Sequence, residues 1–237
     1  MQHVKENTIY EIDRVDVRVL PGLLSYTETN KPVIAANWKK AVTANPTLFD
    51  GEIYLAPEAR LDERVFKACF RRTSFATLMY WRDDHTSQKP WHVFGVGIMV
   101  SVEGHLIAAR MSTHNAVAGR IYFPAGSIDD HDIVGDRADY EANMTREVFE
   151  ETGIDLGDAK VEPKTHLVTA NGSIALYRRY YFDVPTAELL KQIEDNIAKQ
   201  AEPELAEIIP VTRAGAMGEA TPSYVRAFAD WHFDNQQ

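Results

Sequence analysis

Apolar and polar residues follow two periods along the chain, and together these periods predict an α/β structure. Alternation with a period of two predicts strands, which fall at 9–20, 51–58, 91–112, 119–124, 164–170, 174–184 and 206–211. A period near 3.6 predicts helices, which fall at 28–44, 74–84, 140–152, 187–200 and from about 222 onward. Because strands and helices are mixed along the chain, we expect an α/β (α+β) sandwich in which helices cover a sheet.

A polar stretch at 83–90 is the candidate boundary between two regions of the chain. The first region, 1–90, contains side chains such as Trp38 and Phe49, and it is too apolar for a free tail. We therefore expect it to pack on the second region, 91–237, or on a second copy of the chain in a homodimer.

The helix predicted at 140–152 has a typical end signal on each side. Asp139 is a suitable N-cap and Gly153 a suitable C-terminal stop. The loop before the helix, 127–139, holds five aspartates and one glycine. The helix positions away from the glutamates are expected to pack against the sheet. They are Ala142, Thr145, Val148, Phe149 and Thr152.

Composition and charge restrict the class of partner. The chain has 237 residues, 45% of them apolar, and a formal net charge of −10. Binding of a nucleic acid polymer needs a basic face, so we expect no such partner, whereas a small phosphate compound could bind through a cation. Cys69 is the one cysteine, which excludes an internal disulfide. The N-terminus is polar and no stretch reaches the ~20 apolar residues of a membrane span, so we expect a cytoplasmic protein without a membrane partner.

The segment 146–154, Arg-Glu-Val-Phe-Glu-Glu-Thr-Gly-Ile, concentrates negative charge in the predicted helix. Spacings of three and four place Glu147, Glu150 and Glu151 on one side, where like charges repel by roughly a few tenths of a kcal/mol per pair. Two explanations are open. The three residues form a solvated acidic face, or they form a site at which Mg²⁺, which prefers oxygen ligands, cancels the repulsion.

This segment resembles the core of the Nudix box, whose pattern is Gly, five residues, Glu, seven residues, then Arg-Glu-apolar-x-Glu-Glu-x-Gly-apolar. The resemblance implies an α/β/α sandwich over roughly 91–215 and a hydrolase that cleaves a diphosphate linked to another moiety. It also implies that Glu147, Glu150 and Glu151 hold Mg²⁺, with Mn²⁺ as an alternative, and that Arg146 orients them through a salt bridge. In such metal-assisted hydrolysis, Glu150 or Glu147 removes a proton from the attacking water.

The sequence Phe-Pro-Ala-Gly that ends at Gly126 matches the element before the box in this family. By that resemblance Ala125 gives its backbone carbonyl to a metal. Gly126 lets the backbone approach the same site.

The first half of the box departs from the family pattern. Ala138 stands where the pattern has its glutamate, and Asp132 stands where it has its glycine. Gly135-Asp136 is the candidate for a displaced equivalent of these two positions. The geometry of this loop is therefore open, whereas the residues of the acidic helix match the pattern.

Two partial resemblances concern the substrate. The spacing of six residues is similar to the extended motif of coenzyme A diphosphatases: Arg110, Gly119, Phe123, Pro124, Gly126 and Asp129. By this resemblance Arg110 and Gly126 bind substrate, but the second arginine of the motif falls on Asn115. The Pro-Ala-Gly version and the segment 38–51 are more similar to nucleotide-sugar hydrolases of the same family.

A small nucleoside diphosphate derivative is therefore the expected partner, with a nucleotide sugar preferred and coenzyme A as the alternative. A catalytically weak nucleotide-binding module is the alternative of another class, favoured by the irregular first half of the box. Three glutamates near the C-terminus are candidates for an additional metal ligand or base, or for a solvated face: Glu202, Glu204 and Glu207.

Overall fold

A computed structural model describes residues 1, 3–86 and 88–235. The strands are β1 (Tyr10–Ile12), β2 (Arg14–Leu23), β3 (Glu52–Asp62), β4 (Val65–Ser74), β5 (His92–Val100), β6 (Leu106–Met111), β7 (Ile121–Tyr122), β8 (Ile133–Val134), β9 (Arg137–Ala138), β10 (Lys160–Val161), β11 (Thr165–Ala170), β12 (Ser173–Tyr181) and β13 (Leu205–Val211). The α-helices are α1 (Ser25–Thr29), α2 (Lys31–Ala44), α3 (Phe75–Asp83), α4 (Tyr140–Thr152), α5 (Thr186–Ile197) and α6 (Ser223–Asp234). Within the described ranges, no helix is long and apolar enough to cross a lipid bilayer.

The strands form two sheets that share segments from both regions of the chain. The larger sheet has eight strands in the order β1-β11-β12-β5-β6-β13, with β10 beside β12 and β7 beside β6. The smaller sheet has five strands in the order β3-β4-β2-β9-β8. Strand β1 thus joins the sheet of the second region, while β8 and β9 join the sheet of the first. The stretch 83–90 lies between α3 and β5, and its residue Ser87 lies outside the described residues.

Alternate residues of β5 face two different layers of helix. Phe94 and Val96 pack in one apolar cluster with Phe228 of α6. Val93 packs in another cluster with Met144 of α4. Helices therefore cover both faces of the larger sheet, and the predicted α/β sandwich is confirmed.

Two glycines of β5 let α4 approach the sheet closely. A Cβ atom added to Gly95 would lie 2.7 Å from the Met144 side chain and 2.7 Å from the Tyr140 carbonyl oxygen. A Cβ atom added to Gly97 would lie 3.2 Å from the Val148 side chain of α4 and 2.7 Å from the Leu156 side chain. Since real side chains do not pack at such distances, glycine at both positions fixes how near α4 lies to β5.

The ends of α4 agree with the sequence prediction, but its buried face does not. The Asp139 carboxylate accepts a hydrogen bond from the Ala142 backbone N–H at 3.0 Å, and Gly153 ends the helix with a φ of 72°. The prediction that Ala142, Thr145 and Phe149 pack against the sheet was wrong, because they are exposed. The buried stripe is rotated along the helix and consists of Asn143, Met144, Val148, Glu151 and Thr152.

Two parts of the smaller sheet were not predicted. No strand was predicted at the position of β4, between the strand at 51–58 and the helix at 74–84. Its buried residues Phe66, Ala68 and Phe70 nevertheless alternate as a strand requires. The aspartate-rich loop 127–139 was predicted without regular structure, yet β8 and β9 lie within it, and Arg137 pairs with Arg18 of β2. Long-range pairing with β2 supplies the hydrogen bonds that make this polar segment extended.

Candidate active site

A cleft of about 1300 Å³ is lined by residues from both regions of the chain. The first region contributes Phe49 and Arg82, and α4 contributes Glu147 and Glu151. Tyr224 of α6 lies on the same cleft. Two of the three predicted acidic residues therefore face a space large enough for a nucleotide derivative.

Glu147 lies against the backbone of Gly126. A Cβ atom at Gly126 would overlap the Glu147 carboxylate, so only glycine leaves room for this contact. Burial raises the pKa of Glu147 to about 7, although the Arg146 guanidinium opposes the rise. Arg146 Nη2 lies 2.8 Å from Glu147 Oε1. The backbone at Gly126 thus makes a close approach, as the sequence predicted, and the group that it approaches is the Glu147 side chain.

Glu151 is the most buried of the three glutamates, with 7% of its surface exposed. Burial raises its pKa well above the ordinary value, and Glu204 and Glu147 raise it further. A hydrogen bond from the Ala125 backbone N–H acts in the opposite direction. Its Oε2 atom has no hydrogen-bond partner among the described residues. Few hydrogen bonds therefore offset the cost of burying the Glu151 carboxylate.

Glu150 has a different environment from Glu147 and Glu151. Its side chain is 58% exposed and lies 3.2 Å from Arg146 Nη1. It does not line the main cleft but a smaller recess beside it, together with Glu147, Glu151 and Glu204. The three glutamates thus divide into two inward carboxylates and one at the solvent boundary.

Arg146 is held by carboxylates from two elements. Its Nη2 atom lies 2.9 Å from Asp132 Oδ2 and 3.4 Å from Asp129 Oδ2, and it also contacts Glu147 as described above. Burial disfavours its charged form, but the hydrogen bond to Asp132 and the charge of Glu147 outweigh this and raise its pKa. Arg146 thus connects the loop before α4 to two of the three glutamates.

Asp132 is the residue of this site that sequence reasoning missed. It is 2% exposed and accepts hydrogen bonds from the Asn143 side chain at 3.0 Å and from the Asp129 backbone N–H at 3.1 Å. Asp136, by contrast, lies 3.6 Å from Arg18 on the smaller sheet, so the structure does not bring Gly135-Asp136 to Arg146. The abundance of aspartates in this loop was the available signal.

Two of the glutamates near the C-terminus also lie at the site. Glu202 and Glu204 line both the cleft and the recess beside it. Glu204 raises the pKa of Glu147 and of Glu151, and its Oε2 atom accepts a hydrogen bond from Asn115 Nδ2 at 3.1 Å. Glu204 is therefore the nearest candidate for an additional ligand or proton acceptor.

Arg110 does not line the cleft. Its Nε atom donates to Glu207 Oε2 at 2.8 Å, and its Nη1 atom donates to the Gly119 carbonyl at 3.3 Å. Glu207 lies on the neighbouring strand β13, and Gly119 lies in the turn before β7. A role for Arg110 in substrate binding stays a prediction, while Asn115, at the position of the motif's second arginine, does line the cleft.

The acidic residues fit a hard divalent cation in donor type and in charge. Carboxylate oxygens are the ligands that Mg²⁺ prefers, and Glu151 offers an unpartnered oxygen in a strongly negative environment. Among the residues that the structure describes, no three His, Cys, Asp or Glu side chains converge as a ready ligand set. Water and phosphate oxygens complete the coordination of Mg²⁺ in many protein sites.

Comparisons with known proteins give structural matches only. No family model and no curated protein matches the chain. The fold is similar to a MutT protein from Methanosarcina mazei, with a TM-score of 0.40 and 18% identity, over 62% of this chain and 96% of that one. It is also similar to the protein DR0079 from Deinococcus radiodurans, with a TM-score of 0.36 and 13% identity, over 65% of this chain and 93% of that one.

Proposed function

We propose that the protein is a Nudix-type hydrolase that cleaves the diphosphate bond of a nucleoside diphosphate linked to another moiety. The observation that supports this most is the burial of Glu147 and Glu151 against the backbone of Ala125 and Gly126. Buried carboxylates with raised pKa values lower the stability of a fold and are candidates for functional groups. A divalent cation and a diphosphate substrate together explain why two such groups share one wall of a cleft.

Glu147, Glu150 and Glu151, with the backbone carbonyl of Ala125, are the groups that would hold Mg²⁺ or Mn²⁺. When bound, such a cation supplies positive charge that neutralises the diphosphate and lowers the pKa of water. The protein without a cation carries the mutual repulsion of these carboxylates as an energetic cost.

The other residues of the site position the acidic groups. Arg146 contacts Glu147 and Glu150 and is itself fixed by Asp132, so the two glutamates have defined orientations. Glu150 or Glu147 accepts a proton from the attacking water, as general base catalysis requires. Glu204 faces the same recess and is the further candidate for this role.

A nucleotide sugar is the preferred substrate class and coenzyme A the alternative. The extended motif of coenzyme A diphosphatases has two arginines, but here Arg110 is paired with Glu207 and the second position is Asn115. Charge-assisted contacts to phosphate are worth about 1.5–3 kcal/mol each, so the absence of these two arginines from the cleft favours the nucleotide sugar.

A binding module that holds a nucleotide without cleaving it is the second candidate. The observation that favours it is the lack of a ready ligand set among the described side chains. In that case Glu147 and Glu151 would still bind a cation and a diphosphate, but turnover would be absent.

Release of nucleoside monophosphate separates the two candidates. The full chain is incubated with nucleotide sugars, dinucleotides and coenzyme A, each with Mg²⁺ or with EDTA, and the products are separated by chromatography. The hydrolase is supported by release that requires Mg²⁺ and is lost in Glu147→Gln. Binding of a nucleotide without release from any compound would instead support the binding module.

A further inference from the structure

The cleft also holds a basic residue that forms no salt bridge with any described residue. Arg82, the second-last residue of α3, lines the cleft and is partly buried. It forms no salt bridge with any described residue, and its one hydrogen bond is to the Met79 sulfur at 3.2 Å. Its guanidinium lies 5.7 Å from the centre of the Phe75 ring. The acidic group that acts on its charge is Asp83, an exposed chain neighbour that forms no salt bridge with it. In a chain with a net charge of −10, a partly buried arginine without a salt bridge is unusual.

Three tyrosines that share one apolar cluster line the same cleft as Arg82. Tyr122 and Tyr224 are the phenols that interact with Arg82 most strongly. Tyr177 is fully buried and lines the cleft, and its hydroxyl has no hydrogen-bond partner among the described residues. Burial raises the pKa of each of the three phenols, so they stay protonated and can donate hydrogen bonds. A buried donor without an acceptor is destabilising, and a ligand oxygen that accepts from it would relieve this.

Thr221 adds a further polar group without a partner. It is 1% exposed, it lines the cleft, and its hydroxyl has no hydrogen-bond partner within the described ranges. The loop that precedes α6 thus contributes a second buried hydroxyl group, in addition to that of Tyr177. Together these groups offer one positive charge and several O–H donors, which is the complement of an oxyanion.

This group of residues and the acidic helix belong to one continuous site. The His92 ring meets the Trp81 ring edge-on, with 5.7 Å between the ring centres, and lies 4.7 Å from the Phe94 ring. Its Nε2 atom lies 3.0 Å from the Ser127 hydroxyl. Ser127 follows Gly126, which contacts Glu147. His92, Ser127 and the acidic residue Glu147 thus line one cleft that also contains Arg82.

We propose that Arg82, Tyr122, Tyr177 and Tyr224 form an anion subsite that binds a carboxylate or phosphate group on the moiety attached to the diphosphate. The proposal rests on the proposed function, because it assumes that the diphosphate lies at the acidic helix. It narrows the substrate class to diphosphates whose second moiety carries an additional negative charge. An acidic sugar and the 3′-phosphate of coenzyme A share this chemistry.

Calorimetric titration with two matched pairs of compounds tests the subsite directly. UDP-glucuronate and UDP-glucose differ by a carboxylate, and coenzyme A and dephospho-coenzyme A differ by a phosphate. The titrations use the full chain in EDTA, so that neither a cation nor turnover is needed. Repulsion between the diphosphate and the glutamates weakens both members of a pair alike, so the ratio of their affinities reports on the subsite.

We expect the acidic member of one pair to bind at least tenfold more tightly than its neutral partner. The pair that shows the preference identifies the source of the oxyanion. Arg82→Gln should abolish the preference, Arg82→Lys should keep part of it, and Tyr177→Phe, which leaves the charge in place, should reduce it severalfold. Arg60→Gln, which removes an exposed arginine paired with Asp62 outside the cleft, should leave it unchanged.

Equal affinities within both pairs, or a preference that persists in Arg82→Gln, would overturn the subsite. The failure of both acidic compounds to bind would also overturn it. The outcome is separable from that of the proposed function. A preference in EDTA without hydrolysis in Mg²⁺ would refute only the hydrolase, and hydrolysis without any preference would refute only the subsite.

Discussion

Arg146 Nη2 lies 2.9 Å from Asp132 Oδ2, although the two residues are 14 positions apart in the chain. Arg146 Nε also donates to Asp132 Oδ1 at 3.3 Å, so the pair is bidentate. Since Arg146 contacts Glu147 and Glu150 as well, this pair links the loop before α4 to the acidic face. A loop that departs from the sequence pattern therefore still supplies a carboxylate to the arginine.

Asp132→Asn should destabilise the fold and misplace the acidic face. The change removes the charge from a buried partner of Arg146 while it keeps the size of the side chain. Hydrogen bonds to charged groups are worth about 1.5–3 kcal/mol, and we expect a loss of this order in the free energy of unfolding. Urea titration monitored by circular dichroism gives the value.

Asp136→Asn is the matched control for this change. Asp136 lies in the same loop, but its side chain is 68% exposed and its partner Arg18 lies at 3.6 Å. Exposed ion pairs contribute about 0–1 kcal/mol, so its effect should be small. Equal losses in the two variants would contradict the role assigned to Asp132.

Gly95→Ala should shift α4 away from the sheet. The added methyl group would meet the Tyr140 carbonyl, which is backbone and cannot rotate away, as well as the Met144 side chain. Overpacking typically costs about 1–3 kcal/mol. Gly97→Ala is the comparison, because the three nearest atoms to its methyl group all belong to side chains, those of Leu156, Val148 and Met144. Thermal unfolding of both variants should show the larger loss at Gly95, and the reverse order would refute this account of the contact.

The sequence patterns predicted α4 and its ends correctly because the signals for them are local. Asp139 and Gly153 act within one turn of the helix. The side of α4 that is buried could not be inferred in this way. The buried side depends on how closely β5 approaches α4 at Gly95. The periodicity of the helix sequence holds no information about this contact.

The acidic residues of the site were apparent from spacing, but their separate environments were not. Glu147, Glu150 and Glu151 look equivalent in the sequence, yet their exposure differs because Ala125 and Gly126 cover only one side of the helix. Asp132 and Arg82 reach the site through tertiary contacts. The positions of both side chains depend on tertiary structure, which sequence patterns over single elements do not predict.

Glu151→Gln should stabilise the cation-free protein above neutral pH. The folded state holds the pKa of Glu151 above its ordinary value, so ionisation costs stability as the pH rises through and beyond that value. Removal of the charge should raise the free energy of unfolding by at least about 1 kcal/mol at pH 8, or roughly 2–4 °C in Tm. At pH 4, where the carboxyl group is mostly protonated in both states, the difference should nearly vanish.

Glu150→Gln serves as the control for Glu151→Gln. Glu150 is mostly exposed and is paired with Arg146, so neutralisation should change stability by no more than about 0.5 kcal/mol. Thermal unfolding in EDTA at both pH values measures the two variants together. A larger gain in stability for Glu150→Gln than for Glu151→Gln would show that burial of the charge is not what destabilises the protein.

Asn115→Arg should not create efficient coenzyme A hydrolysis. Asn115 Nδ2 lies 3.1 Å from Glu204 Oε2, so an arginine there would pair with Glu204 and offer less charge to a ligand phosphate. Rates with coenzyme A and with the best nucleotide sugar should be compared for this variant and for Asn115→Gln, which adds length without charge. A gain of tenfold or more with coenzyme A, about 1.4 kcal/mol, would reverse the preferred order of substrates.

The hydrolysis rate of Glu147→Gln in Mg²⁺ tests the central claim most directly. Glu147 is the glutamate that contacts both Gly126 and Arg146, and glutamine preserves its size. With the best substrate from the panel, we expect the wild type to release nucleoside monophosphate only when Mg²⁺ is present. The variant should retain the circular dichroism spectrum of the wild type and lose at least a hundredfold in kcat, about 2.7 kcal/mol. Turnover within a factor of three of the wild type, or release that continues in EDTA, would contradict the account.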